Sequence, residues 1–260
     1  MRIEGIDFDR CSFCQSCVKE CPLGNFTVLK EEGQITFDSS QDCILCGHCI
    51  AVCPEKAIIY TDLNGNASTF EESFPSISTQ ALNRLLLSKR SVRQYKNKKV
   101  PKEIIEQIIN CMSFAPVAMN KHSLKCLVIS DNKKNDEFIE SIIDSIEDVE
   151  EQEIYYKKRE EGKDPFFHNA PHILILHSNN DWDSINATIA ITYGMLCAET
   201  LGVGSCWIGG VQRYLNENKE IKEKILGIND NIFGIMIFGY PAVNYFRVPP
   251  RPPIDTKLIS

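Results

Sequence analysis

Short apolar runs give way to long helical stripes near residue 61. Before that point, Phe26–Leu29 and Ile35–Phe37 alternate around Glu31, Glu32 and Gly33, the pattern of a hairpin, and Ala57–Tyr60 adds a short strand. Residues 62–78 carry Asn64-Gly65-Asn66, Ser68-Thr69 and Pro75, a linker composition. From residue 79 the hydrophobic period lengthens. Ser78-Thr79 is a cap signal before Ala81, Leu82, Leu85 and Leu86. Pro101 opens a helix carrying Ile104, Ile105, Ile108, Ile109 and Met112, and Ala115-Pro116 ends it. Cys126–Ile129, Ile173–Leu176 and Ile232–Phe238 read as strands. Charge crowds 131–164, yet Phe138, Ile139, Ile142, Ile143, Ile146 and Val149 keep helical period. That predicts two amphipathic helices, either a solvated face or a mobile cover over a site. Residues 184–201 predict a helix apolar nearly all round, which needs cover on every side, by its own core or by a partner subunit; Gly202 and Gly204 stop it. A charged surface helix is expected over Asn216–Leu226. Helices and short strands mix without regular βαβ repeats, so the expected class is α+β, with a small domain at 1–61, a linker at 62–78 and a larger domain at 79–260.

The small domain holds the strongest chemical signal. Cys11, Cys14, Cys17 and Cys21 precede Pro22; Cys43, Cys46, Cys49 and Cys53 precede Pro54. Both runs read C-x2-C-x2-C-x3-C-P, and the second repeats the first at an offset of 32. This is the spacing of bacterial two-cluster ferredoxins, in which the fourth cysteine of each run ligates the other cluster. Cys11, Cys14, Cys17 and Cys53 are therefore expected to hold one [4Fe–4S] cluster, and Cys43, Cys46, Cys49 and Cys21 a second. A disulfide framework or zinc sites would fit less well, since zinc ligands come as separated C-x2-C pairs.

Composition narrows the function without naming it. Hydrophobic residues make up 43% of 260, enough for a sizeable core, and the net charge is −7. Residues 1–60 carry 5 basic and 9 acidic side chains, the remainder 23 and 26, so neither part has a basic excess for nucleic acid or an anionic membrane. Met1–Asp7 has no apolar signal run, and no uncharged apolar stretch of about 18 residues follows. With thiolate ligands, the expected location is the reducing cytoplasm. Cys111, Cys126, Cys197 and Cys206 are expected to be small buried hydrophobes.

Four pieces of the larger domain belong together. They are Lys89-Arg90-Ser91-Val92-Arg93-Gln94-Tyr95, Ala115-Pro116-Val117-Ala118-Met119-Asn120, Leu201-Gly202-Val203-Gly204-Ser205-Cys206-Trp207-Ile208-Gly209-Gly210, and Phe238-Gly239-Tyr240-Pro241 with Arg251 ten residues on. In this order they resemble the FMN-dependent nitroreductase family across residues 79–260; the whole chain resembles its subgroup with an N-terminal two-cluster ferredoxin module. The resemblance implies a nitroreductase-like FMN-binding α+β domain and a homodimer with flavin at the subunit interface. It implies Lys89, Arg90 and Ser91 at the FMN phosphate and ribityl chain, with Arg251 reaching in from the tail. Arg93 would sit at the pyrimidine edge, Pro116 and Asn120 in the flavin loop, and the backbone of Ile208, Gly209 and Gly210 before N5. Three positions depart from the family pattern. Pro116-Val117 replaces Pro-Ser, Asn120-Lys121-His122-Ser123-Leu124 replaces Asn-x-Gln-Pro-Trp, and Lys89 replaces a frequent arginine. His122 is the candidate proton donor. His168, His172 and His177 flank a strand without ligand spacing and are expected in core or surface roles.

Clusters and FMN together imply an oxidoreductase that reduces a small organic acceptor such as a nitroaromatic, quinone or activated alkene, with a ferredoxin or a nicotinamide as electron donor. A non-catalytic relay or sensor is the alternative, as is another flavin reaction on the same scaffold, such as reductive dehalogenation.

Overall fold

The computed structural model describes residues 2–30, 33–61 and 77–259, so all but the last two residues of the expected linker lie outside the described residues. These residues fall into two compact units. One is drawn from Met1–Ser76 and Val117–His122, the other from Ile77–Pro116 and Ser123–Ser260.

The first unit is built by repetition. Strand β1 (Arg2–Ile6), helix α1 (Ser16–Glu20) and strand β2 (Phe26–Leu29) recur 32 residues on as β3 (Gln34–Phe37), α2 (His48–Val52) and β4 (Ile58–Thr61). The halves interlock, because β1 pairs antiparallel with β4 and β2 with β3. The β2–β3 hairpin lies where the alternation predicts it. Strand β1 is hidden in the pattern because an irregularity between Ile3 and Gly5 puts Ile3 and Ile6, three residues apart, in the same core. Ile3, Ile6, Phe26, Ile35, Ala57 and Ile58 form a core together with buried Cys17 and Cys49. A core this small is marginal on area alone, and groups bound to its cysteines would supply part of its stability.

The second unit is a four-stranded antiparallel sheet between two helical layers. In spatial order it runs β5 (Lys125–Ile129), β6 (His172–Ser178), β8 (Asn231–Gly239) and β7 (Gly204–Trp207). The pleat sends alternate side chains to opposite faces. Ile173, Ile175, Ile235 and Ile237 pack in one core with α5 (Asn132–Asp144), α8 (Gly209–Glu217) and α9 (Lys219–Leu226). Leu174, Leu176, Met236 and Phe238 pack in the other with α4 (Lys102–Ser113) and α7 (Asp183–Thr200). Ala187, Ala190, Ile191, Gly194 and Ala198 form the buried side of α7. Gly194 is required there, because a Cβ would lie 2.8 Å from Met112 Cγ.

Several expectations change in the structure. Helix α7 is covered on one side only: Ile185 is 63% exposed and Tyr193 42%. Helix α3 (Thr79–Ser88) starts where Ser78 Oγ accepts from Ala81 N at 3.2 Å, but it buries none of its leucines. The charged stretch does form two helices. Only α5 is amphipathic; α6 (Val149–Glu160) buries no residue and is held by polar links such as Gln152 Nε2 donating to Ile143 O at 3.0 Å. The single helix expected over 216–226 is two, because α8 starts at Gly209 and Asn218 leaves helical geometry. Gly202, at φ 71°, ends α7 as expected, whereas Gly204 opens β7. Among the scattered cysteines Cys206 is buried, but Cys126 is exposed at the start of the sheet's edge strand.

Candidate functional site

The cysteines of the first unit gather in two sets that cross the runs. One cavity is lined by Cys11, Cys14, Cys17 and Cys53, with Ile6, Ile35, Ala57 and Ile58. The other is lined by Cys21, Cys43, Cys46 and Cys49, with Ile3, Phe26 and Phe37. Residues ahead of each helix make the tight wrap: Phe13 and Gln15 in the first half, Leu45 and Gly47 in the second, all at positive φ. Among the described residues no His, Cys, Asp or Glu side chains converge in threes on one point where a single metal ion would sit. Four thiols spaced around an apolar cavity suit a cuboidal cluster better than a mononuclear zinc. Burial raises the Cys17 and Cys49 thiols, Cys49 to about 12, and neighbouring thiols of the same set add to it. Only a strong Lewis acid would hold such groups as thiolates at neutral pH, so loading would release protons. The fourth cysteine of each run also receives a backbone donor: Asn25 N to Cys21 Sγ at 3.4 Å, and Ala57 N to Cys53 Sγ at 3.2 Å.

Asn120 and His122, expected at the flavin, belong to this same unit. The Asn120 amide donates to Ile44 O at 3.0 Å and to Leu45 O at 2.9 Å, and its oxygen lies 3.0 Å from His122 Nε2. Its amide nitrogen is therefore engaged on the loop between Cys43 and Cys46, and its oxygen on His122.

In the second unit three of the four sequence pieces meet. Ser91 bridges to Ser205 in parallel, and Val92 N donates to Ser205 O at 3.1 Å. Tyr95 bridges to Pro241; Lys96 N donates to Tyr240 O and Ala242 N to Gln94 O, both at 2.8 Å. Two glycines permit this closeness. A Cβ on Gly204 would lie 2.6 Å from Val92 Cγ2, and one on Gly239 2.6 Å from Pro171 Cδ. The fourth piece contributes Ala115 to the core.

Beside this junction lies a cavity of about 830 Å3 lined by Arg93, Cys206, Trp207, Ile208, Gly209 and Gly210. Its remaining wall comes largely from the charged stretch and its neighbours: Ile142, Ser145 to Asp148, Glu151, Tyr155, Phe166, His168 and Tyr214. Residues 131–164 thus supply both core and cavity wall. Gly209 and Gly210 form the first turn of α8, where backbone N–H groups lack helical partners. A Cβ on Gly210 would meet nothing within 4 Å, so the glycine leaves open space above its backbone. The Ser205 hydroxyl is buried without a hydrogen-bond partner. A planar ring fits beside the Arg93 cation and this open backbone. Lys89 Nζ donates to Arg90 O at 2.6 Å and Ser205 O at 3.1 Å; burial lowers its pKa, with Glu199 opposing. Arg90 Nη1 donates to Lys89 O at 2.5 Å and lines a separate cavity beside Glu199, Gly204 and Tyr245. Arg251 lies in the exposed tail.

His168 is the cavity residue that sequence patterning passed over. It sits at φ 56° in a turn locked by Asp164, whose carboxylate accepts from Phe166 N and Phe167 N at 2.9 Å and from Asn169 N at 3.1 Å. Burial lowers the His168 pKa and Arg93 adds to the effect, with Asp164 opposing.

Comparison with known proteins gives two family matches. The model described as "Nitroreductase family" matches residues 86–240, and the one described as "4Fe-4S dicluster domain" matches 10–58. The N-terminal part is similar to a ferredoxin of Methanothermococcus thermolithotrophicus, 34% identical over 55 residues, which are 20% of this chain and 88% of that protein. It is also 42% identical over 48 residues to a component of an ion-translocating oxidoreductase complex of Methanosarcina acetivorans, a match that spans 18% of this chain and only 17% of that protein. A putative NADH dehydrogenase/NAD(P)H nitroreductase of Methanothermobacter thermautotrophicus is 24% identical over 165 residues, 60% of this chain and 75% of that one. Among solved structures, a nitroreductase with bound FMN from Bacteroides fragilis shares the fold with a TM-score of 0.55 at 22% identity, over 69% of this chain and 98% of that one.

Proposed function

The chain belongs to the nitroreductase family and carries a ferredoxin-type module, and we propose that it passes electrons between two [4Fe–4S] clusters and FMN to reduce a small organic acceptor. It is an oxidoreductase of that family; the acceptor class is a nitroaromatic, quinone or activated alkene, and the donor a ferredoxin or a nicotinamide. One observation carries this reading: the cavity where Arg93 faces the glycine-led start of α8 between aromatic walls. FMN supplies the junction between one-electron and two-electron chemistry. Arg93 would hold negative charge at the ring's pyrimidine edge, and the first-turn backbone of α8 would present donors to the ring. Lys89, Arg90, Ser91 and Arg251 are the groups for the phosphate and ribityl chain. His168, with its pKa lowered, would stand at the cavity as a neutral ring able to accept a proton, while the His122 ring is joined to Asn120. Trp207, Phe166, Tyr155 and Tyr214 would exclude water from the acceptor.

A homodimer completes the proposal. Ile185 and Tyr193 on α7, the leucines of α3 and the tail residues Phe246 and Ile254 form apolar surface left open by one chain. Exposed apolar area of this extent suits burial against a second copy.

Anaerobic photoreduction of the FMN-loaded protein with a panel of acceptors tests the activity. Reoxidation faster than that of free reduced FMN by at least one acceptor is expected. Rates no faster than free FMN across the panel would refute an acceptor reductase.

A further inference from the structure

We propose that the two clusters have different reduction midpoints, and that Asn25 and Ser16 set the order as positioning residues. The cluster held by Cys21, Cys43, Cys46 and Cys49 takes the lower midpoint. This rests on the two-cluster reading above. The 32-residue repeat makes each half a control for the other. Backbone donors to Cys21 and Cys53 are shared by both halves, so they cancel in the comparison. Several side chains break the symmetry, among them Ser12 and Glu55 at the first cavity and His48 at the second; Asn25 and Ser16 each bring a polar side-chain atom within 3.5 Å of a cysteine sulfur.

Asn25 stands where the second half has Ala57, and it is 1% exposed. Its Nδ2 donates to Gln41 O at 3.4 Å and to Asp42 O at 3.2 Å, and those two carbonyls fix the amide's orientation. Reversing the amide would set its oxygen against both. The fixed orientation places Oδ1 3.5 Å from Cys21 Sγ. Once that sulfur ligates iron it has no proton to donate, so the amide oxygen turns its negative end toward the cluster. A further electron is then less welcome, and the midpoint falls.

Ser16 stands where the second half has His48. Its Oγ lies 3.4 Å from Cys14 Sγ. Against a ligating thiolate the hydroxyl becomes the donor, which spreads charge off the sulfur and raises the midpoint of the other cluster. The two residues act on opposite clusters and widen the same gap.

The test is a redox titration of the fully loaded protein followed by paramagnetic resonance, comparing wild type, Asn25→Ala, Ser16→Ala and the double variant. Two midpoints are expected in the wild type. Asn25→Ala should raise only the lower one, Ser16→Ala should lower only the upper one, and the double variant should bring them together. If Asn25→Ala prevents loading, Asn25→Ser replaces it, and its hydroxyl should raise the lower midpoint further. Unmoved midpoints, shifts of the same midpoint by both variants, or loss of the cluster in both Asn25 variants would overturn the proposal. Iron is counted on the same samples. Clearly fewer than about eight irons per wild-type chain would refute the two-cluster reading itself, whereas a full count with unmoved midpoints refutes only the assignment to Asn25 and Ser16.

Discussion

Lowering the pH should destabilise the second unit through His172. This histidine opens β6 and is 1% exposed. Nε2 accepts from Val100 N at 2.8 Å, Nδ1 lies 2.8 Å from Ser130 Oγ, and the ring stacks on Phe238 at 5.0 Å. An Nε2 that accepts a backbone N–H carries no proton, so the folded ring is neutral, with its hydrogen on Nδ1. Burial lowers its pKa from 6.5 to about 4, and Lys99 adds to the effect. The unfolded chain binds this proton more readily than the folded one. The contribution is therefore complete above pH 6.5, falls as the pH drops, and is lost near pH 4. A gap of about 2.5 pH units corresponds to roughly 3 kcal/mol, of which about 2 kcal/mol would be gone at pH 5. His172→Gln, which does not titrate, supplies the reference, since every other acid-sensitive group is common to both proteins. Both tryptophans of the chain, Trp182 and Trp207, lie in the second unit, so fluorescence during urea unfolding reports on it. The wild-type advantage over the variant should shrink by about 2 kcal/mol between pH 7.5 and 5. An advantage constant within about 0.5 kcal/mol over that range would refute the reasoning, as would a His172 ring that titrates near pH 6.5 in the folded protein.

Crossed ligation predicts that Cys21→Ser damages the cluster of Cys43, Cys46 and Cys49, and that Cys53→Ser damages the other. Paramagnetic resonance of the two reduced variants should show different surviving clusters, and identical spectra would contradict the crossing. Gly204→Ala would push Val92, lying 2.6 Å from the new carbon, away from β7 and shift the segment bearing Ser91 and Arg93. We expect a cost of about 1–3 kcal/mol in stability and roughly tenfold weaker FMN binding, measured by urea unfolding and flavin fluorescence. Sedimentation of the FMN-loaded protein at low concentration should give a dimer; a monomer that retains FMN would overturn the proposed assembly.

What could be read from the sequence depended on how far apart the partners lie along the chain. The grouping of the cysteines around two cavities was legible because three of each set fall within seven residues, and the repeat supplies the fourth by symmetry. Strands β6 and β8 were legible as continuous apolar runs because both of their faces are buried. Strand β7 was not: Gly-Ser-Cys-Trp carries no alternation, and its extended form is imposed by β8 and by the Ser91 segment more than a hundred residues earlier. Helix α7 was legible as apolar nearly all round, but composition records how apolar a face is, not which element covers it, and one chain covers one side. Asn120 has contacts its place in the sequence does not show: its amide nitrogen is held by carbonyls 75 and 76 residues away. His168 had a local signal, since Asp164 followed by Pro165 and two aromatics is a turn-forming pattern that can lift a histidine out of a strand's shadow. Asn25 was just as accessible. Aligning the first 61 residues with themselves at an offset of 32 sets a buried amide opposite Ala57, beside the cysteine that each half lends to the other. A repeat is informative at the positions where it fails, because the shared positions already account for the fold, and a polar side chain kept in one half's core needs a reason the other half does not share.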